Sequence, residues 1–159
     1  HPHFIFEGLS ALVEKRSPRV GQESVCAGCR RTMVRTEVDT LREPNEGLPD
    51  NATCFLSQGY ICQGSVTLDR CLAPCPNHGM PCSGCAGPTM QVLTEPTRDI
   101  RTEISERMSR LTRIPYETIR THLEKSAKTQ YAYAMATKMI GNKPTFLIRK
   151  WIAEGEAQP

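Results

Sequence analysis

Between Cys62 and Cys85 the chain places five cysteines in 24 residues, among prolines and glycines and with few large apolar side chains. Glycine and proline at that density work against long helices and strands. So little apolar surface cannot offset the entropy of ordering the segment. Something must crosslink it. Across the whole chain the spacing is C-x2-C-x24-C-x7-C-x8-C-x3-C-x6-C-x2-C, formed by Cys26, Cys29, Cys54, Cys62, Cys71, Cys75, Cys82 and Cys85.

These eight are all the cysteines in 159 residues, and they occupy one zone. A disulfide scaffold normally staples the whole of a short secreted chain. Thiols gathered in one zone, with two C-x2-C pairs, point instead to metal. Two intervening residues let a tight turn aim both sulfurs at one centre. In Cys26-Ala-Gly-Cys29 and Cys82-Ser-Gly-Cys85 those residues are small, so backbone N–H groups can approach the sulfides of a cluster and raise its potential. Cys71-Leu-Ala-Pro-Cys75-Pro76 reproduces the C-x3-C-P ending of the bacterial ferredoxin run. The preceding C-x2-C-x2 is absent, so a plain ferredoxin is not indicated. Eight thiolates make two sets of four. Spacing favours iron–sulfur, with four-cysteine zinc sites and disulfides open as alternatives. The zinc alternative is a metal-stabilised binding module without a redox role.

The order Cys26, Cys29, Cys54, Cys62, Gly64, Thr67, Cys71, Cys75, Pro76, Gly79, Cys82, Gly84, Cys85 and Gly87 carries a family resemblance. It resembles the C-terminal part of the small, electron-transfer subunit of nickel–iron hydrogenases. The variant is that of the cytosolic methyl-viologen-reducing, deazaflavin-reducing and sulfhydrogenase types, and the match covers roughly residues 20–90. The resemblance implies two 4Fe-4S clusters: a distal one on Cys26, Cys29, Cys54 and Cys62, and a medial one on Cys71, Cys75, Cys82 and Cys85. Respiratory relatives have histidine where Cys26 stands, and many have proline where Cys75 stands. Cys75 therefore implies a four-iron medial cluster of lower potential. Implied too are a nickel–iron large subunit and a downstream flavin or iron–sulfur subunit as partners, a cytoplasmic location, and a relay role without catalysis in this chain. Arg70 departs from the glycine usual at its place.

Outside the cysteine zone the reading is helical. Residues 4–16 carry Ile5, Phe6, Leu9, Leu12 and Val13 at helical spacing, which predicts one buried face, and Ser17-Pro18 breaks the helix. Phe4-Ile-Phe-Glu-Gly-Leu resembles the helix that follows the last proximal-cluster cysteine of the family. The chain starts His1-Pro2-His3, so residues 1–21 are expected to be the tail of a flavodoxin-like domain that lies outside this sequence. Residues 30–53 read as loop with room for one helical turn, and Phe55-Leu56 and Tyr60-Ile61 as apolar cover for a cluster. Residues 22–90 form the two-cluster domain, and 91–159 a helical region. There Thr97 or Asp99 caps a helix carrying Ile100, Ile104, Met108 and Leu111. Ile114-Pro115 separates it from a helix over 115–140 with Ile119 and Leu123 on its apolar side, closed by Gly141-Asn142. A short helix from Pro144 to Ala153 holds Phe146, Leu147, Ile148, Trp151 and Ile152, more apolar bulk than a small domain buries, which suggests subunit contact. The expected fold is α plus irregular: a small loop-rich iron–sulfur (ferredoxin-like) domain, then a helical C-terminal region.

Arg98, Arg101, Arg107, Arg110 and Arg113 alternate with Glu103 and Glu106, the pattern of a solvated helix face held by i,i+4 pairs. His78 reads as a solvent-facing loop histidine. The net charge of +3 is modest and no basic stripe with interleaved aromatics occurs, so nucleic acid is not an expected partner. No run of 18 apolar residues occurs, so no transmembrane segment is expected. No catalytic triad, paired carboxylates or phosphate-binding loop is present.

Overall fold

The computed structural model describes residues 2–18, 21–95 and 98–126. Its helices are α1 (Pro2–Val13), α2 (Val25–Gly28), α3 (Pro74–Asn77), α4 (Met90–Thr94), α5 (Ile100–Leu111) and α6 (Tyr116–Lys125). Two 3-10 turns, Leu56–Gln58 and Gly64–Val66, lie in the cysteine zone. No β-strand forms among the described residues. Isolated bridges, Ser24 with Leu68, Thr32 with Thr53, Arg42 with Tyr60 and Thr67 with Pro88, hold the irregular chain together.

Of the two caps the sequence offers, Thr97 lies outside the described residues and Asp99 begins α5. The Asp99 carboxylate accepts from the Thr102 amide at 2.8 Å, a helix N-cap. Burial of Ile104 and Met108 follows the spacing, and both are completely inaccessible to water. α6 begins one residue after Pro115 and places Ile119 and Leu123, also fully buried, in the same core. The continuation of this helix to residue 140, the Gly141-Asn142 cap and the Pro144–Ala153 segment lie outside the described residues.

α5 also packs on the turns at 56–58 and 64–66. One apolar cluster therefore joins Val25, Phe55, Tyr60 and Val66 of the cysteine zone to Ile104, Met108, Ile119 and Leu123 of the helices. Residues 30–53 make a turn at Pro44-Asn45 and no helix. They run as an extended strap over the junction of α5 and α6. The Thr36 amide donates to the Leu111 carbonyl, and the Arg113 amide to the Val38 carbonyl, both at 2.8 Å. Phe55, Leu56 and Tyr60 are buried in this core.

α1 forms as predicted, but its expected buried face requires correction. Ile5, Phe6, Leu9, Leu12 and Val13 are all exposed, Val13 to 83%, while Ala11 on another side of the helix is buried. Helical periodicity identifies a face that water disfavours; it does not supply the surface that covers it. The end of α1 is fastened locally, the Arg16 guanidinium folding back onto Glu7 at 2.6 Å.

The core and the α1 face should respond oppositely to truncation. Ile119→Ala is expected to cost about 2–5 kcal/mol, the range for deleting a buried aliphatic side chain. Leu12→Ala should stay within about 0.5 kcal/mol. Urea denaturation followed by far-UV circular dichroism checks both.

Candidate metal centre

Backbone hydrogen bonds place several of the cysteines. The Val25 amide donates to the Thr67 carbonyl at 2.8 Å and the Val25 side chain is buried, which fixes the start of α2 and with it Cys26. The Cys29 amide donates back to the Cys26 carbonyl, closing the C-x2-C turn. Cys54 is held by its own amide on the Thr32 carbonyl at 2.8 Å. Cys75 sits in α3, with the Met80 amide on its carbonyl at 2.9 Å.

All eight thiols are free. Cys26 lies within electrostatic reach of Cys54, Cys29 and Cys82, and Cys62 within reach of Cys82 and Cys26. A Cβ on Gly64 would meet the Cys26 sulfur at 3.3 Å and the Cys62 sulfur at 3.6 Å, so only glycine lets both sulfurs come this close to the chain. Of the second set that the resemblance implies, Cys71 lies within electrostatic reach of Cys85 and Cys75, and Cys82 within reach of Cys85 and Cys71. Cys82 also reaches Cys26 and Cys62. The two implied sets adjoin at a buried contact: the Cys82 amide donates to the Cys62 sulfur at 3.3 Å. In return the Gln63 amide donates to the Cys82 carbonyl at 2.9 Å.

Burial and hydrogen bonding act in opposite directions on these sulfurs. Burial pushes the Cys26 thiol up from 9.0 to about 11, with Arg107 opposing. Burial also raises Cys62, against amide donors from Cys82 and Gly64. Cys82 is raised by burial and eased by the Gly84 amide and the Thr67 hydroxyl. Cys71 is raised by burial and eased by the Ala73 amide. N–H donors aimed at sulfur stabilise thiolate, the form that binds metal. Cys75 and Cys85 are exposed, so the second group opens to solvent where the first is more enclosed.

Eight free thiols, several of them met by amide donors, are the donor chemistry of iron–sulfur clusters. Among the described residues no group of three or more His, Cys, Asp or Glu side chains comes together closely enough to hold a metal ion.

The clips between the groups give no cue in the cysteine spacing. Arg31 stacks over Phe55 with its guanidinium carbon 3.9 Å from the ring centre. Its Nε donates to the Pro76 carbonyl and its Nη1 to the Thr53 carbonyl, both at 2.9 Å. It thereby ties the residue before Cys54 to the residue after Cys75. Asn77 joins the same loops: its Nδ2 donates to the Gly28 carbonyl at 3.0 Å, and its Oδ1 accepts from the Arg30 amide at 2.9 Å. Arg107 pairs with Glu103 at 3.0 Å and Arg110 with Glu106 at 3.3 Å, as the i,i+4 pattern predicts. The charge of Arg107 also reaches Cys26. His78 is exposed at the end of α3.

No protein-family model matches the chain. It is 41% identical over 87 residues to a subunit of the vhu F420-non-reducing hydrogenase of Methanococcus voltae, covering 55% of this chain and 30% of that protein. It is 32% identical over 157 residues to the iron-sulfur subunit of the F420-non-reducing hydrogenase of Archaeoglobus profundus, covering 90% of this chain and 47% of that one. With the corresponding F420-non-reducing hydrogenase subunit of Methanothermus fervidus it shares 30% identity over 95 residues, 59% of this chain and 75% of that protein. The chain thus spans 30% of the first relative and 47% of the second, less than two thirds of either.

Arg31→Lys should fail to hold Pro76, Thr53 and the Phe55 face together, because an ammonium lacks the planar fork. The expected result is a lower bound-metal content per chain, measured by elemental analysis of anaerobically purified protein. Thiol reactivity follows burial. In metal-free protein, alkylation read by mass spectrometry should label Cys75 and Cys85 first and Cys62 and Cys82 last. Thiolate is the reacting form, so the rate at Cys26 should keep climbing with pH towards about 11 rather than level off near 9.0.

Proposed function

The chain belongs to the family of F420-non-reducing hydrogenase iron-sulfur subunits, and from that premise we propose that it is the electron-transfer part of a nickel–iron hydrogenase complex. The observation that supports this reading most directly is the gathering of free cysteines around amide donors, with the Cys82 amide on the Cys62 sulfur at its centre. In this reading Cys26, Cys29, Cys54 and Cys62 would hold a distal 4Fe-4S cluster, and Cys71, Cys75, Cys82 and Cys85 a medial one. Bound there, such clusters supply one-electron redox chemistry.

The work of the chain's own residues is to hold, shield and tune. Phe55, Leu56 and Tyr60 fill the core beside the first group and exclude water from it. The amides of Cys82 and Gly64 on Cys62, of Ala73 on Cys71 and of Gly84 on Cys82 supply donors to the ligand sulfurs. Such donors raise a cluster's potential, as does compensating positive charge. The proposed partners are a nickel–iron large subunit on one side and a flavin or iron–sulfur subunit on the other, with a cytoplasmic location. No helix among the described residues is long and apolar enough to cross a membrane.

Protein purified without oxygen should be brown, should bleach on dithionite reduction, and should carry about eight irons with matching acid-labile sulfide per chain, four for each cluster. A colourless chain with stoichiometric zinc would overturn the reading. An EPR signal of an oxidised three-iron cluster in the native protein would overturn the four-iron assignment that rests on Cys75.

A further inference from the structure

The loop between the two thiol groups carries a carboxylate that the cysteine pattern does not explain. Asp69 is fixed on every side. Its amide donates to the Glu23 carbonyl at 2.8 Å, and its carbonyl lies 2.7 Å from where a Cβ on Gly21 would stand. Its Oδ1 accepts from the Ala73 amide at 3.2 Å. Its Oδ2 lies 2.8 Å from the Cβ position of Gly28, so glycine between Cys26 and Cys29 is what gives the carboxylate room. The loop it faces is unusual: Leu72 and Ala73, neither of them glycine, both have positive φ, 63° and 49°. Two consecutive left-handed residues persist only where the surroundings hold them. The Ala73 amide is the group held, shared between the Asp69 carboxylate and the Cys71 sulfur.

We propose that Asp69 is a positioning residue for the second thiol group: its carboxylate pins the left-handed turn at Leu72-Ala73, and its fixed negative charge beside Cys71 lowers the reduction potential of the cluster bound there. This deepens the function proposed above and rests on it. Reduction adds an electron to an already anionic centre, so a nearby carboxylate disfavours the reduced form. The carboxylate also draws on an amide that would otherwise go wholly to the sulfur, and weaker donation to sulfur acts in the same direction. Its place against Gly28 brings it close to the first loop as well. Because the amide it holds belongs to the second group, the larger effect falls there.

Two substitutions separate charge from anchoring. Asp69→Asn keeps an oxygen for the Ala73 amide and removes the charge; Asp69→Ala removes both. The measurement is an EPR-monitored redox titration of the native complex, purified anaerobically, with iron and sulfide counted per chain. The signal of the second group is identified by its alteration in Cys75→Ser. In Asp69→Asn, iron content should match the parent while the oxidised-to-reduced ratio of the second group shifts about tenfold towards the reduced form, or ~59 mV for one electron. The first group should shift less. In Asp69→Ala, iron should fall towards half through loss from the second group. An unshifted midpoint in Asp69→Asn overturns the proposal, and so does loss of iron in that variant, which would make the charge a requirement of ligation. Full iron in Asp69→Ala overturns the anchoring part. A parent complex without iron overturns the underlying reading before any variant is made.

Discussion

The structure turns on a single buried hydrogen bond between loops twenty residues apart, the Cys82 amide on the Cys62 sulfur. It joins a cysteine of one proposed ligand set to a cysteine of the other. A sulfur in an apolar interior is costly to ionise, and here burial raises Cys26, Cys62 and Cys82 together. An amide aimed at the sulfur offsets part of that cost. The same contact, with the Gln63 amide on the Cys82 carbonyl, ties the Cys62 loop to the Cys82 loop.

Around this contact the chain supplies clips rather than regular secondary structure. Arg31, Asn77 and Asp69 each join a loop of one thiol group to a loop of the other. Backbone amides in irregular loops have no ladder to satisfy them, so side chains must do so. The helices contribute mass. α5 and α6 bury Ile104, Met108, Ile119 and Leu123 against the turns that carry Phe55 and Tyr60, which gives a cysteine zone poor in apolar residues a core to rest on.

The exposed face of α1 shows the limit of periodicity as an argument. Ile5, Leu9 and Leu12 recur as buried positions do, yet they face solvent. Ile104 and Met108 recur in the same way and are inaccessible to water. The difference is a neighbour. α5 has α6 and the 56–58 turn beside it, whereas the apolar side of α1 is left open and its Glu7 pairs with Arg16 just past its end.

By itself the sequence determined what is local in the chain: the thiol count and spacing, the small residues inside the C-x2-C turns, a cap at Thr97 or Asp99, and the apolar stripe of α5. Each depends on neighbours a few residues apart, where bond geometry leaves few choices. Tertiary structure alone decided what depends on loops distant in the chain lying side by side. Asp69 came to rest against Gly28, Arg31 reached both Thr53 and Pro76, and Gly64 became the place where two sulfurs pass close to the backbone. A carboxylate, an arginine and a glycine have many uses in a sequence, and only the fold's choice of neighbours selects one.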